Sequence, residues 1–202
     1  MPILHAIILG IVQGLTEFLP VSSSGHLEIV PWLFRWNDLG GNADLDKAFD
    51  VALHIGTFVG AFAYFRTDIF TFARAGIRSI RRRTIEGSDE RMAWFLVLSA
   101  IPAALAGMLL EDFIDSNLGA IWIIAVMLIV FGVVLFIADR LPGRRDIDEL
   151  RWRDALLLGA AQAAALQPGV SRSGATISMG RALGFSRDSA ARVSFLMSLP
   201  II

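Results

Sequence analysis

Apolar residues dominate long blocks of this chain, and polar residues fall in clumps between them. A membrane span needs about 20 mostly apolar residues. Met92–Leu110 and Leu118–Ala138 meet that length directly. Val51–Phe65 is shorter and flanked by charge, with Gly56 and Gly60 in GxxxG spacing, and it counts as a third span. Two more apolar segments, Ile3–Val30 and Ala155–Leu183, are each broken midway by Pro, Gly and Ser. A break leaves backbone N–H and C=O groups unpaired, which at membrane depth is tolerated only inside protein or facing a water-filled cavity. The pattern therefore predicts an all-α polytopic membrane protein carrying two re-entrant helix-loop-helix hairpins.

Composition agrees. Of 202 residues, 55% are hydrophobic and 18% charged, with mean hydropathy +0.61; soluble domains sit nearer 45–50% apolar. No Cys is present, which excludes disulfides, thiolate metal sites and Cys nucleophiles. No basic face suggests nucleic acid. The first apolar run has neither a basic n-region nor a clear cleavage site, so it does not read as a cleaved signal peptide.

Charge orients the spans. The segment Arg66–Arg91 reads as a loop with seven arginines, and Arg140–Arg153 holds five. The loop Glu111–Asn117 carries Glu111, Asp112 and Asp115 without a cation, and Arg35–Asp50 sets two cations against four carboxylates. The positive-inside rule assigns the Arg-rich loops to the cytoplasm and the other two to the outside. Trp32, Trp36, Trp94, Trp122 and Trp152 lie near segment ends, as an interfacial aromatic belt requires.

The chain also repeats itself. "AIILGIVQGLTEFLPVSSSGH", 6–26, aligns with "ALLLGAAQAAALQPGVSRSGA", 155–175, at a constant offset of 149, with eight identities in 21 positions. These include Gln13/Gln162, Ser22/Ser171, Ser24/Ser173 and Gly25/Gly174. Three spans separate the copies, so the second enters from the opposite face. Inverted repeats with broken helices bring their polar turns together near the midplane. Residues 1–148 form the first repeat and 149–202 the start of the second. By symmetry, about 60–80 further residues are expected to complete it.

The two turns carry the chemistry. Gln13 and Glu17 are four apart and share one helical face. An intramembrane carboxylate is costly and usually functional. Glu17 suits a hard cation such as Mg²⁺, with Gln13 offering its amide oxygen, and such a cation takes its remaining ligands from water and phosphate. The structural alternatives are a carboxylate neutralised by Arg or protonated, and an inter-helix hydrogen bond for Gln13. Ser23 is a candidate nucleophile with His26 as its base, or His26 is itself the nucleophile. Ser22 and Ser24 read first as helix caps, a role their counterparts Ser171 and Ser173 share. The copies diverge where Ser23 becomes Arg172 and His26 becomes Ala175. Arg172 heads a helix, where free N–H groups and its guanidinium fork suit phosphate; a structural ion pair with Glu17 is the competing role. Neither His5 nor His54 is assigned a role: His5 reads as interfacial, and His54 begins a span from the outer side, where it could line the cavity. A metal ligand, a nucleophile candidate and an Arg clamp among lipid-facing helices suit a phosphate-bearing lipid and phosphoryl transfer. The same polar midplane set would also suit an inverted-repeat transporter or lipid flippase.

At "ILGIVQGLTEFLPVSSSGHL", "LQPGVSRSGATIS" and "GFSRDSAARVSFLMSLP" the chain resembles the undecaprenyl-pyrophosphate phosphatases, bacterial inner-membrane enzymes linked to bacitracin resistance. The family's [E/Q]-x-x-x-E motif falls on Gln13 and Glu17, and its Ser-rich turn and His on Ser22, Ser23, Ser24 and His26. Its P-G-x-S-R-S-x-x-T motif falls on Pro168, Gly169, Ser171, Arg172, Ser173 and Thr176. The resemblance implies removal of one phosphate from a C55 polyprenyl pyrophosphate, recycling the carrier lipid for peptidoglycan and other envelope polymers. It implies catalytic Glu17, Ser23, His26 and Arg172, and substrate-binding Gln13, Ser22, Ser24, Ser171, Ser173 and Thr176. It further implies a divalent cation, Mg²⁺ or Ca²⁺, at Glu17 and Gln13, a site open to the periplasmic side, and a homodimer. The nucleophile stays open among Ser23, His26 and a metal-bound water.

Overall fold

A computed structural model describes residues 1–38 and 43–200, apart from the side chains of Ala43, Asp44, Glu111, Asp112 and Asp115. The described residues fold into eight α-helices: α1 (Ile3–Thr16), α2 (Ser23–Phe34), α3 (Ala43–Arg82), α4 (Ser88–Asn117), α5 (Ile121–Asp139), α6 (Trp152–Ala163), α7 (Arg172–Ala182) and α8 (Arg187–Ser198). Leu45–Arg82, Ser88–Leu110 and Ile121–Asp139 are long and apolar enough to cross a membrane. Their outer faces leave Val59, Leu105, Met108, Ile129 and Phe136 exposed. An apolar surface of that extent needs a partner such as lipid, and the protein is a membrane protein. All five Trp residues sit within a few positions of a helix end, as the belt reading expects.

The three spans fall where expected; two run longer than expected, while Leu118–Ala138 narrows to Ile121–Asp139. The helix expected over Val51–Phe65 runs from Ala43 to Arg82, so the segment read as the loop Arg66–Arg91 is helix except for its short connection before Ser88. No Pro or Gly pair interrupts it, and Arg is a good helix former. Arg81 and Arg82 in the last turn complement the helix dipole. The helix stops where Arg83 adopts φ 56° and Thr84 N–H reaches back to the Ser79 carbonyl at 3.3 Å. At about 1.5 Å per residue α3 is on the order of 60 Å long, twice the hydrocarbon core. Its Arg-rich third therefore projects beyond the lipid. It is pinned to α4 by Arg78–Glu90 at 2.8 Å and Trp94 Nε1 donating to Ser79 Oγ at 2.9 Å. Likewise the acidic segment 111–117 is the end of α4 rather than a loop. The side chains that gave it its charge lie outside the described residues, as do residues 39–42 of the expected loop Arg35–Asp50.

Both interrupted segments form two helices joined by a polar turn, α1 with α2 and α6 with α7, each pair packed together. The second hairpin is the better buried. Phe185, Leu158, Ala190, Val193 and Met197 form the core between α4, α6, α7 and α8. Helix α6 lies so close to α4 that a Cβ on Gly159 would stand 2.4 Å from the Ser99 carbonyl oxygen and 3.0 Å from Pro102. Gly10, its counterpart in α1, has only a Leu53 methyl at 3.8 Å. Gly159→Val is therefore expected to destabilise the fold by about 3 kcal/mol through overpacking. Gly10→Ala should cost less than about 1 kcal/mol. Thermal unfolding in detergent checks both, and equal shifts would contradict the packing.

Candidate active site

The two polar turns are built alike. Ser22 caps α2 with Oγ accepting from Gly25 N–H at 3.3 Å, and Ser171 caps α7 with Oγ accepting from Gly174 N–H at 3.1 Å. Ser22 and Ser24 hydroxyls stand 3.3 Å apart, and those of Ser171 and Ser173 3.1 Å. The expected capping role is observed for Ser22 and Ser171; Ser24 and Ser173 lie inside the helices, and their hydroxyls meet the capping hydroxyls instead. Each turn has one residue at positive φ, Ser22 at 65° and Gly169 at 92°. A Cβ on Gly169 would also meet the Ile124 carbonyl at 2.5 Å, so glycine is required there twice over. Ser22, which has no such conformational freedom, is braced on both sides: its carbonyl accepts from His26 Nδ1 at 2.8 Å and its hydroxyl holds the cap.

The turns meet. Ser173 Oγ donates to the Leu19 carbonyl at 3.1 Å. Added Cβ atoms on Gly25 and Gly174 would stand 3.4 Å from Gly169 Cα and from the Pro20 carbonyl, respectively. Small residues let the two backbones approach, and the approach joins the acidic turn to the basic one. Arg172 Nη2 donates to Glu17 Oε1 at 2.5 Å. The other carboxylate oxygen, Oε2, accepts from Gln13 Nε2 at 2.8 Å and from Ser23 Oγ at 2.7 Å. Glu17 is 8% exposed and Gln13 fully buried, so the carboxylate is held by three donors in a nearly dry setting, as a buried charge requires. Arg172 Nη1 also reaches the Ser198 carbonyl at 3.4 Å.

A cavity of about 430 Å³ opens against this cluster, its polar wall including Glu17, Ser23, Asp50, His54 and Arg172. Ser22, Ser24, Ser171 and Lys47 also reach it. Four expected site residues do not: Gln13, His26, Ser173 and Thr176. Thr176 is 1% exposed, and its hydroxyl bonds the Arg172 carbonyl at 2.8 Å and Ser194 Oγ at 2.6 Å, tying α7 to α8. His26 is absent from the cavity wall, because one helical turn separates it from Ser22 and its ring folds back onto that carbonyl. Ser173 is 4% exposed and spends its hydroxyl on the contact between turns.

The structure adds His54. Its Nδ1 donates to the Asp50 carbonyl at 2.8 Å and its Nε2 stands 3.7 Å from Glu17 Oε2. In sequence it is a lone His near the start of a span, and only packing of α3 on α1 brings it to Glu17. His5 lies elsewhere, stacked on Trp36 at 3.7 Å and bonded to Asp38 at 2.6 Å.

Among the described residues no group of three or more His, Asp or Glu is arranged for a metal ion. Gln13 Oε1, beside Glu17, is among the buried acceptors that lack a partner. Oxygen donors from the Glu17 carboxylate and, buried behind it, the Gln13 amide, with Asp50 on the cavity wall beside Glu17, fit a hard cation that completes its shell with water and phosphate.

Helix pairs broken at polar turns, and an ion-paired cluster between them facing a cavity, characterise a polytopic membrane protein. The chain belongs to the family of the bacitracin resistance protein BacA, whose family model matches residues 6–202. It is 48% identical over 203 residues to an undecaprenyl-diphosphatase of Marinobacter nauticus, covering 100% of this chain and 74% of that protein. A relative of the same name from a Nocardioides species is 47% identical, covering 98% and 71%. Undecaprenyl-diphosphatase 2 of Stutzerimonas stutzeri is 48% identical, covering 100% and 74%.

Proposed function

We propose that this chain hydrolyses undecaprenyl pyrophosphate to undecaprenyl phosphate and inorganic phosphate. The observation that carries the reading is the contact of Ser23 and Arg172 with one buried carboxylate, Glu17, at the edge of a cavity. Family membership and the names of the relatives supply the substrate.

The geometry supports roles residue by residue. Arg172, at the N-terminus of α7, binds the terminal phosphate through its fork together with the free N–H groups of the helix. Glu17 Oε2 lies 2.7 Å from Ser23 Oγ, the nucleophile–base spacing. Ser23 Oγ attacks the terminal phosphorus and its proton passes to Glu17. The bridging P–O bond breaks and its oxygen leaves on the lipid phosphate. Water then cleaves the P–Oγ bond, releasing inorganic phosphate and restoring Ser23. His54 Nε2, close to the same carboxylate oxygen, serves as the proton relay between Glu17 and water. Glu17 and Gln13 Oε1 would hold a divalent cation, Mg²⁺ or Ca²⁺, which when bound neutralises charge on the transferring phosphate. His26 acts here on the turn, through Ser22, and not on the substrate.

The site's position supports an outward-facing opening. On α3, His54 precedes Arg78 by about 36 Å of helix axis, so cluster and Arg-rich end lie toward opposite faces. Under the positive-inside rule the cluster then faces the outer side of the bacterial inner membrane. The matched turn geometries favour the reading of 1–148 and 149–202 as inverted repeats whose hairpins re-enter the bilayer.

Purified protein in detergent is expected to release inorganic phosphate from undecaprenyl pyrophosphate. EDTA should reduce release to background, and Mg²⁺ or Ca²⁺ should restore it. Movement of intact lipid across liposomes without phosphate release would overturn the hydrolase reading in favour of transport. Ser23→Ala should abolish turnover and any acid-stable, alkali-labile phosphoprotein trapped during it. A phospho-intermediate that survives in Ser23→Ala would move the nucleophile elsewhere.

A further inference from the structure

A second cleft, of about 670 Å³, lies between α3 and α8. Its walls are Phe18, Gly60, Ala61, Tyr64, Phe65 and Phe195, and its far end is closed by Asp68, Asp188 and Arg192. Small-molecule sites fall in this size range and are mostly apolar, with few polar groups. Two small residues on α3 make the hollow: no atom lies within 4 Å of where a Gly60 Cβ would sit. Phe18 and Phe195 meet edge to face at 5.8 Å and form its floor.

The cleft is a separate hollow that lies next to the site, with neighbouring residues of one segment lining each. Phe18 follows Glu17 directly in the chain. Phe195 follows Ser194, which bonds Thr176, and lies one turn before Ser198, whose carbonyl accepts from Arg172. On α3, His54, Ala61, Phe65 and Asp68 follow one another at spacings of seven, four and three, which keeps them on one helical face. The face that presents His54 to Glu17 therefore leads into the cleft, over about 21 Å of axis. That path runs from the phosphate cluster toward the Arg-rich end of α3, the direction in which the tail of a lipid must run if its head lies at Glu17 and Arg172. At the end, Arg192 and Asp68 stand 3.8 Å apart, a polar stop on an apolar trough.

We propose that the α3–α8 cleft seats the first isoprene units of the substrate's hydrocarbon chain, and that Gly60 and Ala61 set what fits there. The proposal rests on the hydrolase reading above, and it adds the surface that recognises the tail. Branched, unsaturated isoprene units suit a trough walled by aromatic edges and faces.

The test is kcat/KM for phosphate release from C5, C20 and undecaprenyl pyrophosphates by wild type and Gly60→Leu. Leucine is a better helix former than glycine and points into open space, so thermal unfolding should be unchanged or raised. The wild type should prefer C20 over C5 by about 100-fold, and Gly60→Leu should lose about tenfold or more on C20 and undecaprenyl substrates with no loss on C5. Equal rates on C5 and C20 in the wild type, or the same preference in Gly60→Leu, would overturn the cleft's role while leaving the hydrolase reading intact. Equal losses on every substrate together with a changed oligomeric state would overturn it by giving the cleft to a second copy. No release from any substrate by the wild type would overturn the hydrolase reading and this inference with it.

Discussion

Glu17→Gln is expected to lower kcat/KM for undecaprenyl pyrophosphate by about 10³-fold or more, with KM little changed. The substitution is isosteric and keeps an oxygen for Ser23 and Arg172, so the cluster should still assemble. It removes the negative charge and the basicity. Positioned general bases contribute about 10²–10⁴ in rate, and loss of a charge that positions Arg172 and neutralises a bound cation adds to that. A threefold loss in rate corresponds to under 1 kcal/mol and would leave Glu17 no more than a structural anchor. Phosphate release under saturating substrate is the measurement, with thermal unfolding alongside it.

Arg172→Ala should cost about 10²–10³ in kcat/KM, the size of a lost charge-stabilising donor. Here the structure adds a second expectation. Glu17 and Arg172 form a pair with side chains 6% and 16% exposed, and removing one partner of a buried pair leaves the other uncompensated, at about 3 kcal/mol. Arg172→Ala should therefore also lower the unfolding temperature, whereas Arg172→Lys should keep most of the stability and still lose most of the rate, because an ammonium lacks the fork. Full activity in Arg172→Lys would mean that charge alone suffices and that bidentate contact with phosphate plays no part.

The residues that were legible in sequence are those whose role is local. Gln13 and Glu17 share a helical face by spacing alone, and Ser22 and Ser171 cap helices because Ser before a helix does so. The repeat made the meeting of the turns an expectation, and Arg172 touching Glu17 fulfils it. The full length of α3 was not legible, because a clump of Arg reads as a loop until packing on α4 shows it helical. For His54 the sequence suggested a place along the cavity but not its partner: its proximity to Glu17 depends on how α3 lies against α1. His26 stands beside three serines, yet its Nδ1 bonds the Ser22 carbonyl one turn back and its ring lies off the cavity wall. Thr176 fits the motif and faces α8, so membership of a motif did not imply contact with the cavity.

The most direct test of a single composite site is a double-mutant cycle on phosphate release from undecaprenyl pyrophosphate, comparing wild type, Glu17→Gln, Arg172→Lys and the double variant. Groups that act as one unit are strongly non-additive. The double variant is predicted to be no slower than about threefold below the worse single variant. Losses that multiply across the cycle would mean that the acidic and basic turns work independently, and would contradict a catalytic cluster assembled where the two turns meet.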